Sequence, residues 1–166
     1  MKFVIAAALA VVAALAEFTV VPYMRIGDAV LHPALVLGVV WAVAGGLEAG
    51  LAWAFMGGLA LDILGLRPLG SSAFSLLLAI ALASMVGGAL SRARIIAPIL
   101  ATLAASAAFS FLLLIVTTVL TGAPLSDTAI VGLVPSALYD AGLATLVGPL
   151  VVAVVMRREA RERLDW

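Results

Sequence analysis

The chain has 166 residues, of which 66% are hydrophobic and 11% charged, whereas an ordinary soluble domain is about 45–50% apolar and about 25% charged. A water-soluble fold of this size has too little interior to hide so much apolar surface, which excludes a soluble enzyme, a nucleic-acid binder and a disordered tail. Nine basic and nine acidic residues cancel and there are no cysteines, so nothing points to a polyanionic partner, and disulfides, thiolate metal sites and a cysteine nucleophile are excluded.

The apolar runs are continuous, so the expected spans are helices that satisfy their own backbone hydrogen bonds in lipid. They are not the alternating strands of an outer-membrane barrel. A spanning helix needs about 20 apolar residues, and charges with Gly/Pro breaks divide the chain into six predicted helices at about 3–21, 31–45, 47–64, 71–91, 95–120 and 130–156. The first ends at Pro22. Lys2 and Ala14-Leu15-Ala16 imitate a cleaved signal, but alanine is so common that Ala8-Leu9-Ala10 matches equally well, and the segment reads as a retained span. The stretch from Leu31 to Leu64 is too long for one helix, since roughly 34 residues would reach about 50 Å. Gly45-Gly46 followed by Glu48 folds it into a hairpin. Residues 157–166 form a short tail, into which the last helix is expected to continue for a turn or two.

Basic residues orient this arrangement. With six spans, one side holds Lys2, Arg92, Arg94, Arg157, Arg158, Arg161 and Arg163, and the other only Arg25 and Arg67. The positive-inside rule then places both termini in the cytoplasm and makes the chain a single multi-pass membrane domain.

Four carboxylates lie in or beside the spans: Glu17, Glu48, Asp62 and Asp140. An ionisable group at membrane depth is costly and by default suggests function. Two readings stay open. Either each one reaches interfacial water or bonds a neighbouring helix, or Glu17, Asp62 and Asp140 form a polar cluster near the outer face that binds a partner or cation. No basic residue lies deep enough to be an obvious counter-ion. His32, the sole histidine, cannot make a zinc site with scattered carboxylates, because zinc takes three or four ligands; it is expected at the interface beside Pro33.

Gly70-Ser71-Ser72 faintly resembles a nucleophile turn, but no base accompanies it. The structural reading gives Gly70 a positive φ and makes Ser71 or Ser72 the cap of the next helix. No catalytic, cofactor-binding or metal-binding residue is predicted. Small residues recur every four positions at Ala42, Gly46, Gly50 and Ala54, and again at Ala83, Gly87 and Ser91. This spacing lets helices approach closely, so Gly46, Gly50 and Gly87 are candidate helix-packing positions. The spacing supports packing without naming the partner; if the face carrying Gly50 or Gly87 is a partner interface, leucine at either position is expected to weaken partner binding.

The segment Gly57-Gly58-Leu59-Ala60-Leu61-Asp62-Ile63-Leu64-Gly65-Leu66-Arg67-Pro68-Leu69-Gly70 resembles the signature of the rod-shape-determining MreD family. In that family a Gly-Leu-x-x-Asp segment closes one helix and a Pro-Leu-Gly turn opens the next. Gly58, Asp62, Pro68 and Gly70 carry the match. His32-Pro33 opens the second span as in the family, Glu17 stands where glutamine is usual, and Tyr139-Asp140 falls where an aromatic-polar pair is often found.

The resemblance implies a non-catalytic scaffold subunit of the bacterial cell-elongation machinery in the inner (cytoplasmic) membrane, supporting peptidoglycan synthesis and cell shape. The partner it implies is the bitopic protein MreC. Through MreC come the MreB filament, RodA and a class B penicillin-binding protein, with membrane lipids around them and no cofactor or nucleic acid. It also implies an all-α, six-helix transmembrane bundle similar to the substrate-binding components of energy-coupling-factor transporters. From that kinship comes the alternative function, a small-molecule-binding membrane subunit of a vitamin transporter.

Overall fold

The computed structural model describes residues 2–25, 27, 29–90, 96–122 and 130–162. They form six α-helices: α1 (Lys2–Thr19), α2 (Pro33–Gly45), α3 (Leu47–Leu64), α4 (Ser71–Ala89), α5 (Ile96–Thr121) and α6 (Leu133–Glu162), with one 3-10 turn at Val21–Tyr23. Of the residues marked in the sequence, Ser91, Arg92, Arg94 and Arg163 lie outside those described. The starts of α2, α4 and α6 share one end of the bundle with the ends of α1, α3 and α5. We call it the distal end, since it lies away from the N-terminus.

Five helices are long and apolar enough to cross a membrane, and α2 is the exception. Its 13 residues reach only about 20 Å, against a hydrocarbon core of about 30 Å. The expected six spans are thus five full-length helices and one short one. Local chemistry sets both ends of α2. Pro33 occupies its first turn, where a missing N–H does no harm, and it biases His32 away from helical geometry. At the other end Gly46 adopts φ 96°, a conformation that a side chain disfavours.

The short helix is also the central one, packed against each of the other five. Ala34, Leu35, Val36, Val39, Val40 and Ala42 are all buried. Trp53 of α3 stacks on Trp41 at 6.1 Å between ring centroids, and its indole Nε1 donates to the Ala34 carbonyl at 2.8 Å. The neighbouring helices approach through small residues. A Cβ on Gly50 would lie 2.3 Å from Ala42 Cβ, and one on Gly58 would lie 2.2 Å from Ala73 Cα. A Cβ on Gly87 would meet Val43 at 3.0 Å.

These distances correct two expectations. Gly50 and Gly87 face α2 inside the bundle, so neither offers a surface to a partner helix. Gly46 has nothing within 4 Å of a Cβ; it forms the turn between α2 and α3 and is not a point of close helix approach.

The Gly58 contact is with backbone, which cannot swing aside. Gly58→Ala is therefore expected to destabilise the purified protein by about 1–3 kcal/mol, read as a lower melting temperature. Gly88→Ala, where a Cβ meets nothing within 4 Å, is expected to be neutral or stabilising by up to about 1 kcal/mol from helix propensity.

Candidate functional site

The first N–H groups of any α-helix lack partners within it. At the start of α2 those groups lie among other helices, where leaving them unpaired is costly. Asp140 of α6, fully buried, supplies the acceptor. Its Oδ1 accepts from the His32 backbone N–H at 2.7 Å. Its Oδ2 lies 2.9 Å from His32 Nδ1 and also accepts from the Ser106 hydroxyl of α5. From α1, Glu17 Oε2 accepts from the Ala34 N–H at 3.2 Å.

Neighbours on α6 hold the chain leading into α2. Ser136 Oγ accepts from the Val30 N–H at 2.9 Å, and the Tyr139 hydroxyl donates to the Met24 carbonyl at 2.9 Å. Phe109 meets the His32 ring edge-on at 5.4 Å. Three residues within about one turn of α6 thus clasp the connection between α1 and α2.

A second carboxylate does the same for α4. Gly70 precedes that helix in a left-handed conformation, φ 96°, and has no side chain to cap it. Asp62, fully buried at the end of α3, takes over the role. Its Oδ2 accepts from the Gly70 N–H at 2.8 Å. Its Oδ1 accepts from the Ser72 N–H at 2.8 Å and from the Ser71 hydroxyl at 2.9 Å. The expectation that Ser71 or Ser72 caps α4 is corrected: they follow the cap position, and Asp62 is the acceptor. Pro68 sits in the same turn, its carbonyl accepting from the Ser71 N–H at 3.1 Å.

The structure therefore brings Glu17 and Asp140 together on the start of α2 and sets Asp62 apart on the start of α4. Glu48, exposed in the first turn of α3, favours the positive end of that helix dipole. Sequence reasoning missed the His32–Asp140 pair and the contributions of Ser106 and Ser136. The only available signal was the His32-Pro33 dipeptide, which marks a helix start but not its acceptor. Among the described residues, no group of three or more His, Cys, Asp or Glu could hold a metal ion.

Beside these caps the distal end holds a cavity of about 430 Å³. Arg25, Arg67 and His32 line it, together with α5 residues that include Ser110, Leu113 and Leu114. The early turns of α6 complete it. It opens beside the start of α2, between the distal connections and helices α5 and α6.

A family model described as rod shape-determining protein MreD matches residues 1–158. No curated protein and no solved structure matches the chain significantly.

The two caps differ in what an amide could replace. Both oxygens of Asp62 face backbone N–H groups, which cannot reverse, so Asp62→Asn would aim an NH2 at one of them. At Asp140 an asparagine could keep its oxygen on the His32 N–H and turn its NH2 toward Ser106 Oγ and His32 Nδ1, both able to accept. Asp62→Asn is expected to destabilise by about 1–3 kcal/mol, and Asp140→Asn by less. Melting temperatures of the two variants in the same detergent would check this; the reverse order would contradict the capping geometry.

Proposed function

The chain belongs to the MreD family of rod shape-determining proteins, and on that premise we propose that it is a non-catalytic scaffold subunit of the bacterial elongation machinery. A role in rod-shape determination and a multi-pass membrane character come with the family and the apolar helices. The proposal adds the finer assignments. The protein sits in the inner membrane with both termini cytoplasmic and binds MreC. Through MreC it supports peptidoglycan synthesis by RodA and a class B penicillin-binding protein along MreB filaments.

The observation that carries this reading is the match over residues 1–158. The chemistry of the site supports it. Asp62 and Asp140 engage both carboxylate oxygens with helix-start N–H groups and neighbouring side chains, a structural use that ties them to the fold. With Gly50 and Gly87 turned inward, the partner interface belongs to the outer helix faces or the distal end.

One feature favours the alternative of a vitamin-transporter subunit built as a similar six-helix bundle. The distal cavity, at about 430 Å³, falls in the size range of small-molecule pockets, roughly 300–1,000 Å³. Among the described residues its only ring is that of His32, which gives a vitamin little aromatic surface.

Affinity purification from gently solubilised membranes separates the two readings. MreC and other elongation proteins should co-purify; an ATPase module with a bound vitamin and no elongation protein would overturn the scaffold assignment. Orientation is checked separately by reporter fusions. Fusions after Arg94 and Trp166 should report the cytoplasm, and fusions near Asp28 and Asp127 the outside. Opposite locations for Arg94 and Trp166 would remove the even number of crossings.

A further inference from the structure

Asp140 is fully buried, and its contacts at the start of α2 are those of an ionised carboxylate. Oδ1 faces the His32 backbone N–H, which can only donate. Oδ2 accepts from the Ser106 hydroxyl of α5 and faces His32 Nδ1. A charge enclosed among helices is costly unless an opposite charge accompanies it. Among the described residues the ion-pair partner of Asp140 is His32, the chain's sole histidine, with Nδ1 2.9 Å from Oδ2.

A second carboxylate acts on the same ring. Glu17 reaches from α1 to the N–H of Ala34, and its charge favours a proton on His32. Phe109 of α5 meets the ring edge-on. Arg67, from the connection between α3 and α4, and Arg25, from the connection that carries His32 itself, line the distal cavity with it and oppose a further positive charge. His32 lies ahead of α2, outside the apolar helices. Burial lowers its pKa and so does Arg67, but the hydrogen bond to Asp140 and the charges of Asp140 and Glu17 outweigh them and hold it above the ordinary histidine value.

We infer that His32 is the counter-ion of the carboxylates at the start of α2, carried as an imidazolium at neutral pH between Asp140 and Glu17, and that loss of its proton loosens the hold of α6 on the connection between α1 and α2. The side chain keeps 14% of its surface exposed and lines the distal cavity, so the proton can leave to water. A neutral ring still donates from Nδ1 to Asp140; what disappears is the charge that offsets two carboxylates. Because the folded protein favours the charged ring, this stabilisation is complete below the pKa of an unfolded-chain histidine. It is lost as pH rises through the higher folded value. This role of His32 stands apart from the scaffold function and does not depend on it.

The chain has one histidine, so ring-15N-histidine labelling of the full protein, purified in mild detergent without a histidine tag, gives the NMR signals of His32 alone. At about pH 7 its two ring nitrogens should show the closely similar shifts of an imidazolium. The titration midpoint should lie above that of histidine in a short peptide in the same detergent. Asp140→Asn should lower the midpoint, and Glu17→Gln should lower it by less, since Glu17 makes no hydrogen bond to the ring. Between about pH 6 and about pH 8.5 the melting temperature should fall more steeply in the unaltered protein than in His32→Gln.

A neutral imidazole at about pH 7, with one protonated and one bare nitrogen, overturns the counter-ion role, as does a midpoint that Asp140→Asn leaves unmoved. Equal pH dependence of melting in the unaltered protein and in His32→Gln overturns the loosening; if that variant fails to fold, Asp140→Asn takes its place in the comparison. Asp28 of the same connection lies outside the described residues, so Asp28→Asn serves as the control. A larger drop in the midpoint there than in Asp140→Asn overturns the assignment to the buried pair.

Discussion

A helix that begins inside a bundle must find acceptors for N–H groups that water would otherwise satisfy, and the arrangement of this protein turns on that requirement. The helix at its centre, α2, packs against all five others. The N–H of its cap residue His32 meets Asp140 from α6, and that of Ala34 in its first turn meets Glu17 from α1. These bonds fix the depth and rotation of α2. The contacts of Trp41, Ala42 and Val43 then place α3 and α4 against it. A carboxylate is a strong acceptor for such groups, because a charge-assisted bond at a helix start gains from the helix dipole as well. Asp62 repeats the solution at α4, so one device serves two helix starts at the same end of the molecule.

Much of this order was legible in the sequence. Continuous apolar runs identified helices, Gly45-Gly46 marked the hairpin, and the Pro68–Gly70 turn separated α3 from α4. These are local signals, set by what proline and glycine permit. The acidic residues were legible as ill-suited to lipid, and bonding to a neighbouring helix was one of two open readings. Which helix each would serve was not legible. Asp140 lies 108 residues from His32, and no periodicity links the two. Likewise the spacing of Gly50 and Gly87 signalled close packing without direction: a small-residue face reads the same whether it meets its own bundle or a partner. The shortness of α2 was legible in its length, but its central position required the contacts themselves.

Side-chain economy explains the composition. Alanine dominates the buried faces, with Ala6, Ala10, Ala13 and Ala14 on α1 and Ala97, Ala101 and Ala105 on α5. Association of helices in lipid lacks the hydrophobic drive that operates in water, so contact area at short range has to take its place. Small residues achieve this by bringing backbones together. Larger apolar side chains such as Phe55, Phe111, Leu138 and Leu146 are exposed, as befits a surface that faces acyl chains or other membrane proteins.

The span between α2 and its acceptor also has a consequence in time. Membrane helices are made from the N-terminus onward, so the start of α2 is synthesised well before Asp140, 108 residues later. Until α6 arrives, the His32 amide and imidazole lack the carboxylate that holds them, and the central helix is too short to settle across the bilayer by itself. The α1–α5 portion is consequently an immature assembly. Arrival of the last helix supplies Ser136, Tyr139 and Asp140 together to the connection between α1 and α2.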